Sequence, residues 1–468
     1  MELPVTLIKG DKISPLTDYR DALPVNMYAI EKKILGADGY MLCYPGLTSL
    51  GTGQGIDRGG IYNERLINQY RVSGAKMISV SADGTVAVLG TIDGADQAAM
   101  PYSFNTQQVI ANGKAFLYDP TDGFREITDT DLGDPIDSVW VDGYYFYTDG
   151  EFIYHSDIND EEAIDPLKFA TAEFMPDPSN GVAKTQDNKV LVFGRYTLEY
   201  FVNDASADFS FVRVQTRAQK IGIVATHAKC ETGEGFFITG GRRDEAVSVH
   251  LLGIGSSVRV ATREVDKILS GYTEPELCDM RMECRMEDDI TFVLIHLPNK
   301  TLCLNVTILK TLGKTVAWSI IKTDVKGDAP YRGINGVFDA RSAKWVYGDK
   351  LDTTIGLLDN TVFTHYTNMV EWLLFTPFLD LETFSIDEID IETIPGHTTA
   401  LDAKVFLSFT YNGLTYGTEI SMEYGKPGEI NKRFIARRLG NVDDWIGIKL
   451  RGATTSRMAF ALMNVSYG

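Results

Sequence analysis

"SVWVDGYYFYTDGEFIYHSD", Ser138 to Asp157, decides the fold. Two Asp-Gly pairs, Asp142-Gly143 and Asp149-Gly150, interrupt runs of Val, Trp, Tyr, Phe and Ile. Asp-Gly between apolar runs signals a hairpin, because glycine takes the positive φ that primed turns need. Val139 and Val141, then Tyr144 and Phe146, recur with period two. Successive side chains therefore point to opposite faces of a sheet. The stretch predicts three short strands in a meander. So small a sheet cannot bury its faces alone. It is expected to be one unit of a repeated scaffold, its aromatics filling the space between neighbouring units.

Similar units recur along the chain. "KMISVSADGTVAVLG" carries Asp83-Gly84, and "QQVIANGKAFLYDPTDGFREIT" carries Asn112-Gly113 and Asp122-Gly123. Comparable strands begin near Met77, Gln108, Ser138, Asn188, Phe236, Ile290 and Trp345. Their spacing, roughly 30 to 55 residues, brackets the blade period of propellers. The repeat is degenerate, with no WD dipeptide and no kelch double-Gly signature, so six or seven blades are expected. Long helical periodicity is absent apart from Thr17–Leu35, which could hold one short helix interrupted by Pro24.

Three regions follow. Residues 1–60 read as an N-terminal arm or connecting segment, 61–365 as the propeller, and 366–468 as a β-sandwich-like platform. In the last, Ile446, Ile448 and Leu450 alternate with Lys449 and Arg451, the pattern of a half-buried strand. The chain is thus expected to be all-β.

The formal charge is −20, from 44 basic and 64 acidic residues. That excludes a broad phosphate-binding surface, which needs clustered Lys and Arg. An acidic wall repels phosphates and lets a duplex slide past. Five scattered Cys exclude a disulfide framework and a zinc site, and fit a reducing compartment. No signal peptide and no membrane span is expected.

Candidate chemistry is sparse. Glu388, Asp390 and Glu392 share one strand face, roughly 7 Å apart. Paired carboxylates can serve glycoside hydrolysis or hold a hard cation, but a solvated or partner-facing strand edge explains them more simply. "NKRFIARRLG" brings together Lys432, Arg433, Arg437 and Arg438. This basic patch could meet DNA phosphates, or the acidic 380–402 stretch of a neighbouring subunit. "DINDEEAID" from Asp157 lacks the Gly an EF-hand loop needs. "GLTSLGTGQGIDRGG" from Gly46 has no Gly-Lys-Ser/Thr and reads as a flexible loop. His296, in "TFVLIHLP", reads as a packed strand position. No catalytic residue, metal ligand or cofactor is assigned.

Short pieces in a shared order carry a resemblance. They include "LPVNM" at Leu23–Met27, "GY" at Gly39–Tyr40, "PG" at Pro45–Gly46 and "YRVSGAK" at Tyr70–Lys76. "LEYF" at Leu198–Phe201, "IHLP" at Ile295–Pro298, "YRG" at Tyr331–Gly333, "GDK" at Gly348–Lys350 and "LLFTPF" at Leu373–Phe378 follow. The sequence resembles the packaged-DNA stabilisation proteins, also described as tail accessory or nozzle proteins, of short-tailed bacteriophages that infect enteric bacteria. The resemblance implies a non-enzymatic virion protein, assembled in the bacterial cytoplasm, whose subunits form a six-fold ring. That ring would sit below the portal-bound adaptor ring, extend the DNA channel, receive the tail needle and neighbour the tailspikes. It would retain packaged DNA and let it out on infection, without membrane insertion. The rival reading is a propeller that binds or hydrolyses host glycans, which would gather Trp and carboxylates at one propeller mouth.

Overall fold

The structure is a computed structural model that describes residues 2–7, 23–172, 174–206, 209–327, 329–380, 384–393, 398–413, 415–430, 432–437 and 439–468. The chain is all-β. Seven small antiparallel sheets span 57–91, 107–126, 137–170, 179–213, 222–259, 281–321 and 333–359. They are the blades of a propeller, and each holds one of the seven strand landmarks read from the sequence.

The third blade shows why they form. Strands Asp137–Val141, Tyr144–Thr148, Ile153–Asp157 and Asp160–Ala170 pair in chain order. Asp142 and Gly143 both take positive φ, 50° and 90°, as the primed two-residue turn requires. Strand Tyr144–Thr148 then divides its side chains between two neighbours. Tyr145 and Tyr147 pack with Ile110, Ala115 and Leu117 of the second blade. Tyr144 and Phe146 pack with Val182, Val190, Val192 and Phe201 of the fourth. The aromatics fill the space on both sides of their own blade.

The seventh blade is closed by a strand from far upstream. Gly46–Thr52 pairs antiparallel with Thr354–Asp359. The Gly-rich stretch expected to be a flexible loop is therefore a paired strand leading into the first blade at Asp57. Its glycines serve close approach rather than mobility. A side chain at Gly51 would collide with the Gly84 carbonyl, and one at Gly60 would stand 2.9 Å from the Arg71 guanidinium carbon.

The sandwich is likewise built from both ends of the chain. One sheet runs in the order Met27–Ile34, Ala37–Cys43, Ala459–Tyr467, Phe384–Thr393 and Phe434–Arg437, with Glu2–Thr6 also paired to Ala459–Tyr467. The facing sheet runs Glu371–Phe375, Trp445–Ala453, Lys404–Thr410 and Ile420–Glu423. Ile389, Ile391, Phe460 and Met463 from the first share one buried core with Val405, Leu407, Ile448 and Leu450 from the second. The described part of residues 1–60 is thus no connecting arm, because it supplies strands to both domains. Met27–Ile34 is extended where a short helix was possible, and Thr17–Ala22 lie outside the described residues. Asn26 fixes the joint. Its amide nitrogen donates to the carbonyls of Lys322 (3.0 Å) and Glu371 (2.6 Å), and its oxygen accepts from the Lys322 amide (2.9 Å).

The described helices are short and lie in connections. Arg263–Leu269 and Glu274–Cys278 link the fifth and sixth blades, and Val306–Thr311 and Lys314–Ala317 precede the last strand of the sixth. No described helix is long and apolar enough to cross a membrane.

Candidate functional site

The acidic and basic patches singled out from the sequence meet within this one chain. Phe384–Thr393 and Phe434–Arg437 are adjacent antiparallel strands, with Glu388 opposite Arg437 and Asp390 opposite Ile435. Ile389 and Ile391 face the core, so Glu388, Asp390 and Glu392 face outward. Arg433 Nη2 lies 2.5 Å from Asp390 Oδ2 and 3.5 Å from Glu388 Oε1, and Arg437 Nε lies 2.7 Å from Glu388 Oε2. Hydrogen bonding to Asp390, with the charges of Asp390, Glu388 and Glu392 added, holds the Arg433 guanidinium above its ordinary value. Lys432 turns instead to Glu423, at 2.9 Å. Arg438 lies outside the described residues. Arg433 and Arg437 are thus paired with Glu388 and Asp390, and each arginine still presents about two thirds of its side chain to solvent (64% and 65%).

A second polar cluster was not read from the sequence. It lies where the inner strands of the blades converge. Asp57 of the first blade takes Arg71 Nε at 2.7 Å and Asn335 Nδ2 of the seventh at 2.7 Å. Arg71 Nη2 also donates to the Asn335 carbonyl (2.8 Å). Glu283 of the sixth blade accepts from the Gly336 amide (2.9 Å), and its other oxygen lies 3.0 Å from His296 Nε2.

Some of these contacts join blades that are not neighbours. His227, on the segment entering the fifth blade, bonds through Nε2 to the Gln97 carbonyl beside the second (3.1 Å). Arg281 of the sixth donates to the Ala98 carbonyl at 3.4 Å. Lys229 of the fifth reaches Asp137 of the third at 2.7 Å, and Asp137 also accepts from the Val182 amide of the fourth at 2.9 Å. The His227 and Arg281 bonds join blades on opposite sides of the ring, so side chains reach across the propeller axis.

Burial sets the protonation of this cluster. It drives His227 well below the ordinary value, with Arg281 and Lys229 acting in the same direction. His296 is lowered to about 4, by burial and then by Lys350. Burial would raise Glu283, but His296, the Gly336 amide and Arg281 more than offset it. At neutral pH both rings are neutral. His296 is thus a packed position, held in a polar knot.

Among the described residues no group of three or more His, Cys, Asp or Glu could hold a metal ion. The acidic run from Asp157 forms a hairpin whose Asp157 is paired with Lys168 at 2.6 Å. All five cysteines are free.

Solved structures similar in fold include the N-terminal domain of Nup159 (8% identity, 72% of this chain and 98% of that chain, TM-score 0.42). A virginiamycin B lyase from Staphylococcus aureus is similar too (8% identity, 67% and 98% covered, TM-score 0.43). The family described as "Bacteriophage P22 Gp10, beta-propeller" matches residues 1–363, and "Bacteriophage P22 Gp10, beta-sandwich" matches 371–468. The tail hub protein gp10 of Salmonella phage P22 is 30% identical over 460 residues, covering 94% of this chain and 93% of that protein. With both domains matched nearly end to end, the chain belongs to the bacteriophage P22 Gp10 family.

Proposed function

We propose that this chain is a structural hub of a short bacteriophage tail. It is a subunit of a six-fold ring docked below the portal-bound adaptor ring. The ring extends the DNA channel, retains packaged DNA, meets the tail needle and tailspikes, and opens on infection. The observation that carries this reading is the match of both domains to the P22 Gp10 family, one member of which is a tail hub protein. Assembly in the bacterial cytoplasm is supported by five free cysteines.

The fold suits the task. Radial packing leaves short, protected edges and gives a rigid block. The crossed axis decides where DNA can go. No duplex threads a propeller whose inner strands are tied across the axis by His227 and Arg281. The channel is then the space that several chains enclose together, through heterologous interfaces closed by rotation. An acidic surplus of twenty charges keeps phosphates from adhering to that wall.

The glycan reading calls for tryptophans converging on one mouth. Trp140, Trp318 and Trp345 lie in the third, sixth and seventh blades, and Trp372 and Trp445 in the sandwich. Sizing of the purified chain alone and with isolated portal–adaptor complexes tests the hub reading. A monomer that co-migrates with the complex only after mixing is expected. Failure to join it would overturn the reading.

A further inference from the structure

We propose that a pocket on the outer rim of the third blade docks a cationic side chain, lysine or arginine, carried on an apolar-flanked segment of a partner protein. The proposal goes beyond the hub reading, which assigns no contact surface on the propeller.

The pocket has a volume of about 240 Å³ and opens beside the edge strand Asp160–Ala170. Its walls are largely apolar. Phe152 and Phe169 meet edge to face at 5.3 Å, with Leu132 and Ile164 beside them. The lip is apolar too. Phe169 is half exposed, and Leu167, two residues earlier on the same strand face, is 80% exposed. Among the described residues this strand pairs only with Ile153–Asp157, so its outer edge is open. Pro166 interrupts that edge, and a partner strand cannot form a continuous ladder there. Recognition falls to side chains.

Three carboxylates, of Asp131, Asp149 and Asp165, line the pocket. Asp149 Oδ1 is occupied by the amides of Glu151 (2.9 Å) and Phe152 (2.7 Å). Its Oδ2 is turned toward Gly133, 3.8 Å from where a β-carbon would stand. The Tyr154 hydroxyl lies at the same distance from that point. Tyr154 is only 6% exposed, and its hydroxyl has no hydrogen-bond partner. A carboxylate oxygen and an orphaned hydroxyl thus converge on a space that glycine keeps clear, at the edge of an apolar pocket. Burial, then the charges of Asp149 and Asp134, push the hydroxyl well above its ordinary value, so it stays neutral and can accept.

A cation satisfies both groups. Its N–H groups donate to Asp149 Oδ2 and the tyrosine oxygen, a charge-assisted pair. Its aliphatic stem lies along the aromatic walls, whose faces also attract the charge. Lys168, the one cation of the edge strand, is engaged by Asp157 at 2.6 Å and also lies 3.5 Å from Asp165 Oδ2, so it offsets only one of the three pocket carboxylates. The rim is thus acidic overall and disfavours a nucleic acid or an acidic segment. The residues that line the pocket all come from 131–169, and none belongs to the sandwich.

The test uses the full chain and a dye-labelled, blocked pentapeptide with one arginine flanked by leucines, read by fluorescence polarisation. Saturable binding is expected. It should be lost when glutamate replaces the arginine of the peptide, and weakened about tenfold by Asp149→Asn or Tyr154→Phe, the scale of one charge-assisted hydrogen bond. Asn at position 149 keeps the acceptor for the two turn amides, and Phe at 154 keeps the ring. Should either variant fail to fold, Leu167→Lys, which puts a like charge at an exposed position on the lip, replaces it and is expected to weaken binding likewise. Absence of saturation with the native chain, equal affinity for the glutamate peptide, or affinity unchanged in the variants would overturn the proposal. Docking on the portal–adaptor complex is measured separately, so loss of one result leaves the other standing.

Discussion

Arg71 shows what a single buried charge does in this protein. Its guanidinium is fully buried, fixed to Asp57 and to the Asn335 carbonyl, and underlies Gly60. Removing one partner of such a pair strands the other without water. Arg71→Ala should therefore lower unfolding free energy by about 3–5 kcal/mol, measured by urea denaturation. A loss below 1 kcal/mol would mean that the Asp57 carboxylate has found water. Buried histidines act through pH. His296 is held at about 4 by burial and Lys350, and His365 at about 3 by burial and Arg332. Unfolded rings protonate near pH 6.5, so below that pH the unfolded chain binds more protons and stability falls. Their contribution is whole above about pH 6.5 and is lost progressively down to about pH 4 and pH 3. A urea midpoint that stays level or rises between pH 6.5 and 4 would contradict this, and His365→Asn should make the decline shallower.

At the scale of elements, hairpin glycines differ by surroundings. Gly143 has φ 90°, and a β-carbon there would meet Asn159 Oδ1 at 3.2 Å; Gly123 has φ 76° and open space. Gly143→Ala should cost about 1–2 kcal/mol and Gly123→Ala less, compared by thermal melts. Equal costs would place the whole effect in the backbone. These hairpins were legible because turn chemistry and period-two alternation are local. Gly46–Thr52 was not, because its partner Thr354–Asp359 lies some three hundred residues on and its glycines imitate a loop. The acidic and basic runs were each visible in the sequence, but the register joining Glu388 to Arg437 was not. With those charges paired on one exposed face, replacing Arg433 and Arg437 together by alanine should leave the melting temperature near native. The axial polar cluster escaped notice for a related reason. Asp57, Asp137, Glu283 and Asn335 are single polar residues, each unremarkable in its own strand, and only the radial arrangement gathers them.

At the scale of the whole molecule, the N-terminal segment clasps both domains. It closes the seventh blade, pairs into the sandwich sheet and fixes the joint through Asn26. A chain beginning at Gly53 should lose the cooperative unfolding and protease resistance of the full chain; retention of both would mean that each domain closes without the clasp. The same rigidity, together with an axis crossed by side chains, gives the hub reading its geometry, in which DNA passes between chains and not through one. Electron microscopy of the chain bound to portal–adaptor complexes tests this most directly. The account predicts a closed ring of propellers, coaxial with the portal, around a central opening bounded by several chains. Isolated chains beside bare complexes, or an opening that runs through the axis of a single propeller, would contradict it.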